Sequence, residues 1–365
     1  MKISDIISCL ESFAPREYQE EYDNAGLLTG SPDWDCTGVL VTLDSPESIV
    51  REAMQKKCNL VVSHHPIIFG GLNKLTGSNY VENAVLTAIR NNIALYAIHT
   101  NLDNQLHGVN GKIAEKLGLI NQKVLVPRSD SLYKLFTFAP KAHADKVRDA
   151  LFAAGAGNIG NYSEASFNAA GTGTFKAGMG ANPFVGEFGQ RHEEEEIKIE
   201  VIFPGILGER VVKALKENHP YEEPAYDLVE LANPSDGLGS GLIGELKSKT
   251  SEGEYLATIK RIFNVPVIRH SPLTGRQIGR VAVCGGSGSS FIPNALNAGA
   301  DIYLSADIKY HHFFEGEGRM LIADIGHFES EQFTIDLLHE LLRQKFRNFA
   351  VLKPDTLTNP VNYYL

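Results

Sequence analysis

The chain has 365 residues, more than one hydrophobic core normally supports, so we expect two domains. Its hydrophobic content of 43% and charged content of 21% are typical of a globular protein. The formal net charge of −10 argues against binding nucleic acid through phosphate contacts, which requires a basic surface, and against binding an anionic membrane.

The four cysteines, Cys9, Cys36, Cys58 and Cys284, show no Cys-x-x-Cys spacing, and several lie within apolar runs. This pattern is typical of reduced, buried thiols and differs from a disulfide framework or a zinc ribbon. The N-terminal residues lack the apolar core and cleavage site of a signal peptide, and no stretch reaches the roughly 18 apolar residues that a membrane span needs. We therefore expect a cytoplasmic protein that does not enter a membrane.

Strands alternate with helices in the first third of the chain. Apolar runs predict strands over residues 38–44, 59–62 and 93–98, separated by helices over 46–57 and 81–91. Alternation at this spacing indicates βα units around a mostly parallel sheet.

The pattern changes between residues 127 and 232. The sequence there predicts a βαββαβ order, typical of a ferredoxin-like fold, over residues 133–139, 143–154, 162–178, 195–203, 207–218 and 225–231. Residues 233–241 are rich in turn-forming residues and are predicted to be an exit linker.

The βα alternation then resumes, with strands predicted over 280–284, 301–305 and 320–325 and a helix over 331–346 that Ser330 caps. Neither outer third alone predicts a closed sheet. We therefore expect one split α/β domain made of two halves of βα units, with the ferredoxin-like domain inserted into it. The predicted boundaries are residues 1–126 and 233–365 for the split domain and 127–232 for the insertion.

Polar or glycine-rich clusters follow the six strands of the outer thirds directly. These clusters are Asp44, Ser63–Pro66, His99–Asp103, Gly285–Ser290, Asp307–His312 and Gly326–Glu331. In open α/β sheets the active crevice lies beyond the carboxyl ends of the strands, so we expect these side chains to share a site.

Five of these residues are candidate metal ligands: His64, His65, Asp103, His327 and Glu331. One catalytic zinc normally takes three protein ligands, so five suit two ions roughly 3.5–4 Å apart, bridged by Glu331. Histidines adjacent on a regular strand point to opposite faces, so His64 and His65 share a site only if the chain leaves the strand, as Pro66 favours. Otherwise one is buried and the other exposed.

Other residues are predicted to orient a ligand or to contact substrate. They are His99, Asp307, Lys309, His311 and Ser287, and His107 is a further candidate for substrate contact. The loop Gly285–Ser290 precedes a predicted helix, so its N–H groups and hydroxyls fit an anion, with Lys309 as the matching positive charge. Its pattern matches neither the P-loop nor the dinucleotide fingerprint, which argues against a dinucleotide oxidoreductase. No separate catalytic residue stands out beyond activated water at the metals and Glu331.

The motifs in their order resemble the GTP cyclohydrolase I type 2 homologue family, also called NIF-three-like. The motifs that carry the resemblance are Asp23–Leu27, Ser63–Pro66, His99–Asp103, Ala306–His311 and Gly326–Glu331. The inserted unit, with its Asn218–Glu223 segment, is similar to the PII/CutA-like insertion of the longer members. The chain departs from the family at Tyr22, where Trp is usual, and at Ser305-Ala306, where Thr-Gly is usual.

The resemblance implies a dinuclear metal centre and a ring-shaped homohexamer. It also implies that His65 and Asp103 hold one metal, that His64 and His327 hold the other, and that Glu331 is shared.

Two functions follow as hypotheses. The first is a hydrolase that uses two divalent ions, Zn first with Mn, Fe or Co as alternatives, on a nucleotide-like or other small phosphorylated substrate. The second is a non-enzymatic metal-binding or regulatory scaffold whose inserted domain senses a small ligand. The sequence identifies neither the substrate nor the role of the insertion.

Overall fold

The computed structural model describes residues 1–129 and 131–364. The chain divides into two compact units, of which one comprises Met1–Pro127 with Asp236–Leu365 and the other Arg128–Ser235. The predicted α/β fold class is confirmed, with several sheets. Within the described residues, no helix is both long enough and apolar enough to cross a membrane.

The first segment of the larger unit contains five strands and five helices. In chain order they are α1 (Ile3–Phe13), β1 (Gly26–Thr29), β2 (Val39–Thr42), α2 (Glu47–Gln55), β3 (Leu60–Ser63), α3 (Tyr80–Arg90), β4 (Ala94–Ala97), α4 (Thr100–Asp103), α5 (Val109–Leu117) and β5 (Ile120–Pro127).

The inserted unit follows. Its elements are β6 (Leu132–Pro140), α6 (Ala144–Ala153), β7 (Phe167–Lys176), β8 (Arg191–Pro204), α7 (Gly208–Asn218) and β9 (Tyr226–Leu231). The four strands form one antiparallel sheet in the order β7-β8-β6-β9. Apolar residues of β6, β8, α6 and α7, including Leu135, Val201, Val147 and Leu215, form the core of this unit.

The last segment completes the larger unit. Its elements are β10 (Gly239–Ser251), α8 (Glu252–Ile262), β11 (Arg269–His270), β12 (Gln277–Ser287), α9 (Ile292–Asn297), β13 (Ile302–Ala306), β14 (Leu321–Asp324), α10 (His327–Glu331), α11 (Thr334–Lys345) and β15 (Val351–Leu352). The strand β10 begins at Gly239, inside the predicted exit linker.

The larger unit contains two sheets. One has the order β1-β4-β3-β2-β15 and the other β11-β14-β13-β12-β10-β5. The strands β2, β3, β4, β13 and β14 are buried along their whole length, as expected for strands whose two faces are both covered. One hydrophobic core joins residues of both sheets with residues of α1, α5, α8 and α11. Smaller apolar clusters include residues of α2 and α3 for the first sheet and of α9 for the second.

Candidate metal centre

The carboxyl ends of the parallel strands bring the polar clusters together. In the first sheet Thr42 pairs with Ser63, and Ser63 pairs with Ala97, so β2, β3 and β4 end level with one another. In the second sheet Ser305 pairs with Asp324, so β13 and β14 also end level. The side chains that follow these ends lie around one cavity of about 1660 Å³.

His64, Asp103 and Glu331 form the first group of donors. His64 is fully buried and donates its Nδ1–H to the carbonyl oxygen of Ile98 over 2.9 Å, which leaves Nε2 as the nitrogen that faces the other donors. That Nε2 lies 3.5 Å from Asp103 Oδ1 and 3.8 Å from Glu331 Oε1. Both His64 Nε2 and Asp103 Oδ1 are buried and have no hydrogen-bond partner. Unpaired buried polar atoms are costly, so this group fits a cation that both atoms would bind.

His65, His327 and Glu331 form the second group. His65 Nε2 lies 3.0 Å from Glu331 Oε2, and His327 Nε2 lies 3.2 Å from the same oxygen. The two Nε2 atoms are 3.3 Å apart, which is about the separation of two nitrogen ligands at 2.0–2.1 Å from a tetrahedral zinc. Glu331 therefore presents one oxygen to each group.

The observed grouping differs from the pairing that the family resemblance implies. In the metal-free structure Asp103 and His64 belong to one donor group and His327 and His65 to the other, with Glu331 in both, whereas the resemblance implies His65 with Asp103 and His64 with His327. The reason is that the His64 ring is directed into the buried interior by its bond to Ile98, whereas the His65 ring is held by Asp44.

Hydrogen bonds to oxygen atoms hold the Nδ1 atoms of the histidines in the second group. His65 Nδ1 lies 2.8 Å from Asp44 Oδ1, and His327 Nδ1 lies 2.7 Å from Asp307 Oδ2. Such bonds fix both the ring orientation and the tautomer that presents Nε2 to a metal. Asp307 has a φ of 54°, a left-handed conformation that non-glycine residues seldom adopt, and such backbone strain is concentrated at functional sites.

The helix that carries Glu331 begins earlier than predicted. The sequence predicts a helix over 331–346 capped by Ser330, but the structure has a short helix, α10, that starts at His327 and a second, α11, that starts at Thr334. Gly326, with a φ of 95°, allows the chain to turn into α10 directly after β14. His327 and Glu331 are therefore four residues apart on one helical face, which places both side chains in the same volume.

Glu331 also requires a glycine opposite it. A Cβ atom at Gly286 would overlap Glu331 Oε1, and Gly286 has a φ of 63° that favours glycine in any case. The N–H of Gly286 donates to Ser330 Oγ over 2.9 Å, and Ser330 Oγ in turn donates to the carbonyl of His327. Ser330 thus connects α10 to β12 and does not cap a helix.

In the metal-free protein, the ionisation of His65, His327 and Glu331 follows from their burial and their hydrogen bonds. Burial disfavours the charged form of His65, but the hydrogen bonds to Asp44 and Glu331 outweigh it and raise its pKa to about 10. The same balance, with Glu331 and Asp307 as partners, raises the pKa of His327 to about 9. Burial opposes ionisation of Glu331, but its three histidine neighbours hold its pKa well below the usual range. The metal-free cluster therefore contains protons that a metal would displace.

His99 lies beside both donor groups. Its ring nitrogen lies within 4.8 Å of the ligand atoms of His64 and His65. The sequence predicts that it orients Asp103 or a ligand histidine, whereas the structure shows its Nδ1 bonded to Asp23 Oδ1 over 2.7 Å. Burial raises the pKa of Asp23, but the hydrogen bonds from His99 and Thr100 outweigh this and lower it to about 2. Asp23 therefore stays ionised and keeps a proton on His99 Nδ1.

The loop after β12 differs from the predicted anion site. Its N–H groups at Gly285, Gly286 and Gly288 already donate to side-chain oxygens of Asn110, Ser330 and Ser305. The strand β12 continues to Ser287, and the helix after it, α9, has only six residues. The prediction that the N–H groups of this loop are free to bind an anion is therefore wrong for these three glycines.

The remaining predicted residues differ in whether they line the cavity. Ser287 and Asp307 line the cavity, whereas Lys309, His311 and His107 are exposed and are not among its described lining residues. Asp23 and Asp44 are bonded directly to His99 and His65, although the sequence analysis gave Asp23 only as part of a family motif and Asp44 only as a strand-end residue, without a role for either. Asp44 was detectable because it follows a strand end, as the ligands do.

Comparison with known proteins identifies the family of the chain. The profile of the family DUF34/NIF3 (NGG1p interacting factor 3) matches residues 1–360. The chain belongs to the DUF34/NIF3 family. The resemblance found in the sequence motifs is thereby confirmed.

Relatives in this family match the chain over its length. A GTP cyclohydrolase 1 type 2 homolog of Halalkalibacterium halodurans is 39% identical over 372 residues, with 100% of both chains covered. The crystal structure of a Bacillus cereus protein related to NIF3 is 36% identical, covers 100% of this chain and 99% of that chain, and has a TM-score of 0.86. That of a Staphylococcus aureus protein is 30% identical over the same shares, with a TM-score of 0.79. Family membership and the buried histidine and carboxylate donors together fit a metal-binding protein.

Proposed function

We propose that the protein is a hydrolase that depends on two divalent metal ions and acts on a nucleotide-like or other small phosphorylated substrate. The observation that carries the proposal is the pair of donor groups that share Glu331, one oxygen facing each group. The unpaired His64 Nε2 and Asp103 Oδ1 support it further, because a cation would satisfy both atoms.

His64, Asp103 and Glu331 would hold one ion, and His65, His327 and Glu331 the other. Imidazole and carboxylate donors suit Zn first, with Mn, Fe or Co as alternatives. When bound, such a pair of ions supplies Lewis acidity and lowers the pKa of water to near neutrality.

The protein's own groups orient the site and its contents. Asp44 and Asp307 fix the rings of His65 and His327, and Asp23 holds a proton on His99 Nδ1 beside them. The cavity is large enough for a nucleotide, since pockets for drug-sized ligands measure about 300–1,000 Å³. Its lining includes the aromatic rings of Tyr22, Phe69, Tyr80, Phe291, Phe328 and Tyr363, which suit a planar base.

The test is a screen of nucleoside phosphates and simple phosphoesters with Zn-loaded and Mn-loaded protein. We expect turnover in the wild type and its loss to background in Glu331→Gln, because the shared carboxylate would no longer hold both ions. Glu209→Gln is the matched control, since Glu209 is exposed in α7 of the inserted unit. Metal-loaded wild type that turns over no substrate in the screen would contradict the hydrolase.

The alternative is a non-enzymatic scaffold whose inserted unit senses a ligand, and one observation favours it. The inserted unit encloses a cavity of about 770 Å³ whose lining includes Phe138, Phe175, Phe184 and Tyr221. We propose that this unit is a ferredoxin-like domain of the PII/CutA type, which its βαββαβ order supports. A ligand response that persists in Glu331→Gln without any turnover would favour the scaffold over the hydrolase.

We propose, on the basis of the family resemblance, that the protein assembles as a homohexamer. Three apolar side chains of the inserted unit are largely exposed in the single chain and support burial against another copy: Tyr162 (79% exposed), Phe167 (66%) and Met179 (95%). Light scattering after size-exclusion chromatography should give six times 40.0 kDa, about 240 kDa. A mass of one chain would contradict the assembly.

A further inference from the structure

Residues 353–364, the described residues after β15, form no helix or strand, yet side chains of the larger unit hold several of them in place. We call residues 353–363 the C-terminal segment. Near its start, the carboxylate of Glu52 accepts the N–H groups of Asp355, over 2.6 Å, and of Thr356, over 3.0 Å. Lys56 Nζ lies 3.0 Å from Asp355 Oδ2. These bonds to α2 place the next residues beside the metal centre.

Thr358 is the point at which the segment contacts the metal centre. Its hydroxyl donates to Asp44 Oδ2 over 2.9 Å, while the other oxygen, Asp44 Oδ1, accepts the bond from His65 Nδ1. Both carboxylate oxygens of Asp44 are thereby engaged, and the carboxylate plane is fixed. Two hydrogen bonds in series therefore connect Thr358 to a candidate metal ligand.

A second contact joins the segment to α10. Asn359 Nδ2 donates to Glu329 Oε1 over 2.9 Å, and Glu329 is a buried residue of α10 that lies between His327 and Glu331 in the chain. Thr358, Asn359, Pro360, Val361 and Tyr363 all line the cavity of the metal centre. The segment thus forms part of the wall of the cavity that a metal ion or a substrate would enter.

We propose that the C-terminal segment is a working part of the metal centre, with Thr358 as a positioning residue that holds His65 through Asp44. Without the bond from Thr358, Asp44 can rotate, and His65 loses its fixed ring orientation. The wall formed by residues 358–363 also slows the exchange of bound metal with solvent. The inference rests on the metal binding in the proposed function and not on hydrolysis.

The first test compares zinc affinity, measured by competition with a chromophoric chelator, in wild type, Thr358→Val, Thr358→Ser and Thr356→Val. Losing the partner of a metal ligand costs about 10–100-fold in affinity, and Thr358 acts one bond further away, so we expect about a tenfold loss in Thr358→Val. Thr358→Ser keeps the hydroxyl and should bind as the wild type does. Thr356→Val is the matched control, since the bond from Thr356 to Glu52 uses the backbone N–H.

The second test uses a chain that ends at Leu357, which keeps the bonds to Glu52 but removes the wall. Zinc transfer to excess chelator should accelerate at least tenfold relative to the wild type, with thermal unfolding as the check on folding. Equal affinity in Thr358→Val and wild type, together with unchanged transfer from the shortened chain, would overturn the inference alone. Wild type that binds no zinc would overturn the metal centre as well, whereas absence of turnover would leave the inference intact.

Discussion

At the scale of single residues, the candidate metal centre is defined by which nitrogen of each histidine is hydrogen-bonded to the protein. His64, His65 and His327 each use Nδ1 for a bond to a protein oxygen, from Ile98, Asp44 and Asp307 respectively. Their Nε2 atoms therefore face one another and Glu331. A set of histidines oriented in this way is prepared for a metal before it arrives, which reduces the free-energy cost of ordering the ligands on binding.

The same hydrogen bonds predict that metal binding releases protons. In the metal-free protein the pKa of His65 is raised to about 10 and that of His327 to about 9, so both rings carry two protons at pH 7.5. Zinc must displace one proton from each, so affinity should fall as the pH decreases below about 10, and more steeply below about 9. Calorimetric titration at pH 7.5 in buffers of different ionisation enthalpy should show about two protons released from this pair.

His327→Ala should release fewer protons than the wild type in the same titration, since one of the two rings is gone. His311→Ala, which removes an exposed imidazole, is the control and should behave as the wild type does. A binding enthalpy that is the same in every buffer would contradict the raised pKa values.

At the scale of elements, the contact between β12 and α10 determines where Glu331 lies. Gly286 leaves space for Glu331 Oε1, and its N–H bonds to Ser330 of the same helix. The position of the shared carboxylate therefore depends on a strand residue that carries no functional group.

Gly286→Ala should abolish high-affinity metal binding while the chain stays folded, because the new Cβ displaces Glu331 Oε1. Gly318→Ala is a matched control, since Gly318 has a similar φ of 65° and its Cβ would meet no atom within 4 Å. Both changes strain the backbone by about 1 kcal/mol, and Gly286→Ala adds the displacement of Glu331, so its unfolding temperature should be somewhat lower than that of Gly318→Ala while only Gly286→Ala loses zinc affinity. Equal zinc affinity in the two variants would contradict this role of Gly286.

The sequence predicts the buried strands well because both of their faces are covered. The prediction over 59–62 matches β3 to within one residue, since an apolar run between turn residues has few alternatives. The strands β5 and β10 were missed because both are partly exposed and β10 begins in a glycine-rich stretch. The start of α10 was missed because Ser330 resembles a helix cap, whereas Gly326 is what ends the strand.

The candidate metal ligands were predictable from the sequence because each of them follows the carboxyl end of a strand. His64, His65, Asp103, His327 and Glu331 lie together in the structure, and in the sequence they were linked by their positions after strands and by the family motifs. The bond between Asp23 and His99 joins residues 76 positions apart, and no local pattern indicates it. The prediction of free N–H groups after β12 was wrong because these groups donate to partners, such as Asn110, that come from distant segments of the chain.

At the scale of the whole molecule, the metal centre and its supporting cores are built from the larger unit. Among the described residues, none of Arg128–Ser235 contributes to the donors, the cavity or the apolar clusters around both sheets. The chain leaves this unit at Pro127 and returns at Asp236, and Pro127 pairs with Gly239 across β5 and β10. A short turn can therefore replace the insertion.

A chain in which a four-residue glycine-asparagine turn replaces residues 128–235 should fold and keep the metal content of the wild type. Circular dichroism checks the fold, and elemental analysis counts the ions per chain. We expect His327→Ala to lower that count in the shortened chain and in the full chain alike. A shortened chain that is folded but free of metal would show that the centre needs the inserted unit.

The most direct measurement is the metal content per chain, by elemental analysis of protein purified without a chelator, in wild type and in Glu331→Gln. The account predicts about two ions per wild-type chain and at most one in the variant, since Glu331 serves both donor groups. Wild type that is free of metal, and that also takes up neither added Zn nor added Mn, would contradict the metal centre and every function proposed for it.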